Sequence, residues 1–151
     1  MTDTARPFPT ALEILNRFYA AEQLYTASPP SERDFSGMAA HLAPDAKLYQ
    51  SPDLPFGGVF VGHEGYQQWA KAFAPYFDKL APQDFAVFDE KGGDGGRIVL
   101  STTVLMKVKK TGKQIRQLMV QVVEVDRERE LITEMRPLYW DVAAFNAALG
   151  V

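Results

Sequence analysis

Residues 134 to 141, "EMRPLYWD", place Glu134, Arg136, Trp140 and Asp141 within eight positions. A glutamate beside an arginine inside a pocket would be ionised and hydrogen-bonded, and Arg136 would then suit a carboxylate or carbonyl oxygen. A carboxylate held alone at a pocket rim would instead move protons. Each residue has a second reading. Asp141 directly precedes the helix-like "VAAFNAAL", and aspartate is among the strongest N-cap residues. Glu134, Arg136, Leu138 and Trp140 share one strand face if the strand is regular, but Pro137 marks an edge or a bulge that would shift this parity. Outside the fold, Glu134 and Arg136 are an ordinary cross-strand charge pair.

The segment "QIRQLMVQVVEVD", 114 to 126, offers a second set. Strand alternation puts Ile115, Gln117, Met119, Gln121, Val123 and Val125 on one face. Two amides and a thioether among apolar neighbours suit a mostly apolar site with a few orienting polar groups. The alternative is that the glutamines bond to nearby helix ends. Tyr25, Tyr49, Trp69, Phe73 and Trp140 either fill the core or line a cavity for a flat, mainly apolar molecule with one or two oxygens. His63 could pair with an acid to take a proton, or cap the helix that it opens; His41 is read as structural.

Other chemistries are excluded by composition. There are no cysteines, so disulfides and thiolate chemistry are ruled out, and two histidines cannot build a histidine zinc cluster within one chain. No acid cluster has calcium-loop spacing, so neither a metal nor a cofactor is expected. A net charge of -3 gives no electrostatic reason to bind nucleic acid or anionic lipid. "KVKKTGK", 107 to 113, reads as a solvated hairpin end. "MTDTARPFPT" has no apolar core of a signal peptide and no run reaches membrane-spanning length, so a cytoplasmic protein is expected.

The elements that must hold these side chains follow from period and punctuation. At 151 residues, 46% hydrophobic and 23% charged, the chain is one domain, 1–151, with a sizeable core. Thr10 and Glu13 form a capping box ahead of a helix over 11–26, whose stripe is Ala11, Leu15, Phe18, Glu22 and Tyr25, widened by Leu12, Tyr19 and Leu24. Pro29 and Pro30 end it. Ser36 caps a short helix "GMAAHL", stopped by Pro44, and "AKLYQS" is a strand. "PDLPFGG" is a turn-rich connection to a third helix, "HEGYQQWAKAFAPYF", with Tyr66, Trp69, Ala70, Phe73 and Phe77 on its buried face. From Gln83 the period becomes two, and four strands meander through "KGGDGG", "TGK" and "RERE". Helices gathered before an antiparallel sheet mean an α+β domain.

This order, with "DFSGMAAHLAPDAKLYQSP", "GHEGYQQWAKAF", "VEVDRERELITEMRPLYWD" and the closing "ALG", resembles the nuclear transport factor 2-like superfamily, in its SnoaL-type polyketide cyclase and ketosteroid isomerase-like group. The resemblance implies a cone-shaped curved antiparallel sheet wrapped around N-terminal helices, a cystatin-like α+β barrel, enclosing an apolar pocket. In ketosteroid isomerase-like relatives the pocket holds a tyrosine, a base and an acid. Those positions fall here nearest Phe18, with Tyr19 beside it, on Ser51 and on Gln121, which can donate a hydrogen bond but cannot titrate. The resemblance therefore carries over the pocket and not the steroid chemistry.

Two functions fit. One is a cofactor-free isomerase, cyclase, dehydratase or hydrolase on a small apolar, oxygen-bearing substrate. Asp141 with Glu134 would supply the base, and Gln121, Tyr25 or Arg136 would steady an oxyanion. Tyr49, Ser51, Trp69, Phe73, Met119 and Trp140 would complete the substrate site. The other is a non-catalytic module that binds a hydrophobic ligand or another protein through the same fold. Both predict a homodimer formed through exposed sheet faces.

Overall fold

The computed structural model describes residues 7–151; Met1 to Arg6, part of the stretch read above for a signal peptide, lie outside them. Helix α1, Ala11–Ala27, starts at the expected capping box. Thr10 Oγ1 accepts from the Glu13 amide at 3.2 Å and Glu13 Oε2 accepts from the Thr10 amide at 2.7 Å. Its buried side is Ala11, Ile14, Leu15, Phe18, Tyr19, Glu22, Tyr25 and Thr26. Leu24, expected on that stripe, faces outward.

Helix α2, Ser36–Ala39, is a single turn. Asp34, not Ser36, supplies the side-chain acceptor, taking the Ser36 amide at 2.9 Å. Pro44 does not stop this helix, because strand β1, Leu42–Gln50, already runs through it. The proline is accommodated where the pairing of β1 slips between Leu42 and Lys47. A short strand, β2, Gly58–Val61, then pairs with β1 where the sequence predicts only a turn-rich connection, because four residues are too few to show a period. Gly62 turns the chain in the left-handed region, φ 72°, into α3, Gly62–Phe73. Pro75 ends this helix earlier than the apolar pattern suggests, through a 3-10 turn at Ala74–Tyr76.

Phe77 therefore opens strand β3, Phe77–Asp89, rather than closing a helix. Strands β4, Arg97–Val108, β5, Gln114–Asp126, and β6, Leu131–Tyr139, follow as an antiparallel meander. The sheet order is β2-β1-β6-β5-β4-β3, with β1 and β6 parallel and every other pair antiparallel. Pro82 is tolerated within β3 because β3 is an edge strand. Helix α4, Val142–Leu149, ends at Gly150, φ 79°, in a left-handed cap.

The architecture is thus α+β, an open curved six-stranded sheet with the N-terminal helices on its inner side. One contiguous core joins α1 and α3 to that inner face. At one end it is aromatic: Phe56 meets Phe73, Phe77 and Phe145 edge-on, with ring centroids 5.0, 6.2 and 6.1 Å away. These rings plug that end of the cone and leave the interior beside α1 less filled. Among the described residues no helix is long and apolar enough to cross a membrane.

Candidate active site

Periodicity alone assembles the site. Phe18, Tyr19 and Glu22 occupy one side of α1, and Tyr66, Trp69 and Phe73 occupy positions i, i+3 and i+7 of α3. Residues two apart on each strand point the same way: Leu48 and Gln50 on β1, Leu80 and Pro82 on β3, Met119 and Gln121 on β5, and Met135, Pro137 and Tyr139 on β6. With Val104 of β4 they surround a cavity of about 490 Å³ of empty space, counted out to its mouth.

Its walls are apolar and aromatic, and only a few polar groups enter. Tyr19 donates its hydroxyl hydrogen to Gln121 Oε1. Tyr66 donates to the Lys47 carbonyl at 3.0 Å. Gln50 Oε1 and Trp69 Nε1 are buried with no hydrogen-bond partner among the described residues. Native interiors rarely leave such groups unpaired, so each has a hydrogen bond to offer a water or other molecule in the cavity.

Glu22 is the cavity's carboxyl. It is 9% exposed, and among the described residues no hydrogen bond or ion pair from another side chain reaches it. Burial pushes its pKa from 4.5 up to about 7, because the surroundings disfavour the charged form. Desolvation likewise holds the Tyr19, Tyr66 and Tyr139 hydroxyls above their usual range, reinforced by the negative charge available at Glu22. A carboxyl poised near neutrality can take a proton and return it, and indole and amide N–H groups can hold the oxygen where charge develops.

Of the residues singled out in the sequence, Gln121, Trp69, Phe73 and Met119 line this cavity. Asp141 does not. Its Oδ1 accepts the Ala144 amide at 2.9 Å, so it is the N-cap of α4. Gln117 takes the alternative foreseen for it, binding the Asp141 carbonyl through Nε2 at 2.7 Å and the Asp141 amide through Oε1 at 3.3 Å.

Glu134 and Arg136 lie on the outer face, 3.4 Å apart, with Arg136 stacked 3.9 Å over the Tyr49 ring. Leu138 and Trp140 share that outer face, as a regular strand predicts, because Pro137 points inward without shifting the parity; the β5–β6 register slips earlier, near Thr133, so that Ile132 and Glu134 face opposite sides. The same parity exposes Trp140 at 80% and turns Tyr139 in. Ser51 sits past the end of β1, its carbonyl accepting the Leu54 amide in a turn. Tyr25 is buried a turn too far along α1, edge-on to Phe35 at 6.3 Å and under Arg33. His63 tethers the start of α3 through Nε2 to the Leu42 carbonyl, 2.9 Å away.

Glu22, Gln50, Tyr66 and Tyr139 were not singled out for the site. For Glu22 the signal was present: it was the charged member of a stripe otherwise read as buried.

A sequence profile described as the SnoaL-like domain matches residues 16–135. No curated protein matches the chain. Among solved structures, an NTF2-like protein from Burkholderia xenovorans LB400 is 18% identical with a TM-score of 0.71, over 92% of this chain and 95% of that one. TerC, co-crystallised with polyporic acid, is 19% identical at TM-score 0.70, over 93% and 98%. A candidate polyketide cyclase from Xanthomonas campestris pv. campestris is 16% identical at TM-score 0.69, over 92% and 96%. At such identities the likeness is one of fold.

Proposed function

Since the chain belongs to the SnoaL-like domain family, we propose that it is a cofactor-independent enzyme of the isomerase, cyclase or dehydratase type, acting on a small apolar substrate that carries a carbonyl oxygen. The observation behind this is Glu22: a lone carboxyl enclosed by apolar walls, near neutral pKa, beside unpaired hydrogen-bonding groups. Glu22 takes the role that the sequence offers Asp141 and Glu134. The fold neighbours, among them TerC with polyporic acid and a candidate polyketide cyclase, support an organic ligand in the cone.

In the proposed step, ionised Glu22 takes a proton from the carbon next to the carbonyl. The C–H electron pair moves into the carbon framework and leaves negative charge on the carbonyl oxygen. The Trp69 indole N–H and the Gln50 or Gln121 amide stabilise that charge. Protonated Glu22 can return the proton elsewhere, which is isomerisation, or protonate a departing hydroxyl, which is dehydration. Attack of the enolate carbon on a second carbonyl closes a ring, the C=O π pair moving to that oxygen, which takes the proton back from Glu22.

The test is exchange of carbon-bound hydrogen for deuterium in a panel of cyclic enones and 1,3-diketones, followed by NMR in heavy water. The native chain should catalyse exchange, and Glu22→Gln should lose roughly a hundredfold or more. Tight binding of these compounds without exchange by the native chain would replace the enzyme reading with a binding module.

We also propose a homodimer through the outer sheet face. Leu118, Leu138 and Trp140 are 46%, 58% and 80% exposed and adjacent across β5 and β6, an apolar strip that a second copy would cover.

A further inference from the structure

The cavity's charge balance points beyond proton transfer. Among its lining residues there is one carboxyl, Glu22, and no Lys, Arg or His. Six lining side chains are aromatic: Phe18, Tyr19, Tyr66, Trp69, Phe73 and Tyr139. Aromatic faces carry negative potential and attract cations, most strongly where water is excluded. Gln50 Oε1 adds an unpaired acceptor. The Trp69 N–H and the glutamine amides are the wall's neutral donors, its one charge is negative, and no lining side chain supplies a counter-ion.

We infer that the cavity is a site for a small organic ammonium ion, with Glu22 as counter-ion and the aromatic walls as its cage. This reading does not need the proton-transfer chemistry, since it asks only that Glu22 be ionised and reached. The titratable groups around Glu22 are few. Tyr19 stands on its own helix, Tyr66 on α3 and Tyr139 on β6, all held neutral by burial, while β1, β3, β4 and β5 place no ionisable side chain in the wall. Of the cavity's lining groups only Glu22 then titrates between pH 5 and 9, around its value of about 7.

The probe is choline against its uncharged carbon isostere, 3,3-dimethylbutan-1-ol, read by Trp69 fluorescence in a Trp140→Phe background. Choline should bind at least tenfold more tightly than the isostere at pH 8. Its affinity should fall about tenfold per pH unit once Glu22 is protonated, below about pH 6, while the isostere shows no such loss. Glu22→Gln should bind the isostere as before and lose the preference for choline, and retained isostere binding shows the cavity intact. Equal affinity for the two probes at pH 8, a choline preference that survives in Glu22→Gln, or no binding of either probe would each overturn the inference. Deuterium exchange of ketones reads the proposed catalysis separately. Exchange without choline preference removes only the ammonium site; choline preference without exchange removes only the enzyme.

Discussion

The Tyr19 hydroxyl donates to Gln121 Oε1 in the cavity wall, tying α1 to the inner face of β5 over a separation of 102 residues. Both groups are buried, so losing one strands the other. Tyr19→Phe and Gln121→Leu should each cost about 1 to 3 kcal/mol in urea unfolding. The double substitution should cost less than their sum by about 1 kcal/mol, since it leaves no orphan. Strict additivity would mean that the two side chains act separately.

Asp141 predicts a different pattern. As the N-cap of α4, it should tolerate Asp141→Asn with little loss, because asparagine caps as well, whereas Asp141→Ala should cost about 1 kcal/mol. Neither change should alter ligand binding in the cavity or exchange of substrate hydrogen. Loss of exchange in Asp141→Asn, with stability kept, would return the base to Asp141.

The contrast between Glu22 and Asp141 shows what was legible beforehand. Helix starts, turns and strand period depend on neighbours in sequence, so the capping box, the β3–β6 meander and the family resemblance were readable. The facing of a side chain depends on register, which one extra residue reverses. The slip near Thr133 put Glu134, Arg136 and Trp140 outside, and no local pattern marks it. Gln121 and Trp69 were found because β5 and α3 are regular through them. Glu22 lay in plain view as a charge on a buried stripe. What it lacked in sequence was any sign that no cation would meet it, a property of six other elements.

The outer strip of Leu118, Leu138 and Trp140 gives the third prediction. A homodimer through this face should appear by light scattering at micromolar concentration. Leu138→Glu with Trp140→Glu should shift it to monomer while the monomer stays folded, since both side chains are exposed in the single chain. A native chain that is monomeric at tens of micromolar would refute this interface.

Glu22 also sets how stability varies with pH. Its carboxyl has an ordinary pKa of 4.5, the reference for the unfolded chain, and about 7 in the fold, so the folded state holds the extra proton between those values. Unfolding releases that proton, and rising pH therefore favours the unfolded chain. The stabilising contribution is complete below pH 4.5, fades between 4.5 and 7, and is gone above. Once Glu22 is charged in the fold, the cost is roughly 3 kcal/mol, taking about 1.4 kcal/mol for each pH unit between the two values. Glu22→Gln keeps the shape without the charge, so it should match the native chain at pH 4 and exceed its melting temperature by several degrees at pH 9. The comparison cancels the titration of every other acid. A variant that is less stable than the native chain at pH 9 would show that the Glu22 charge is compensated, and would remove the physical basis for its near-neutral pKa. Adding choline at pH 9 should narrow the gap from the native side, because a bound cation stabilises only the chain that carries the charge.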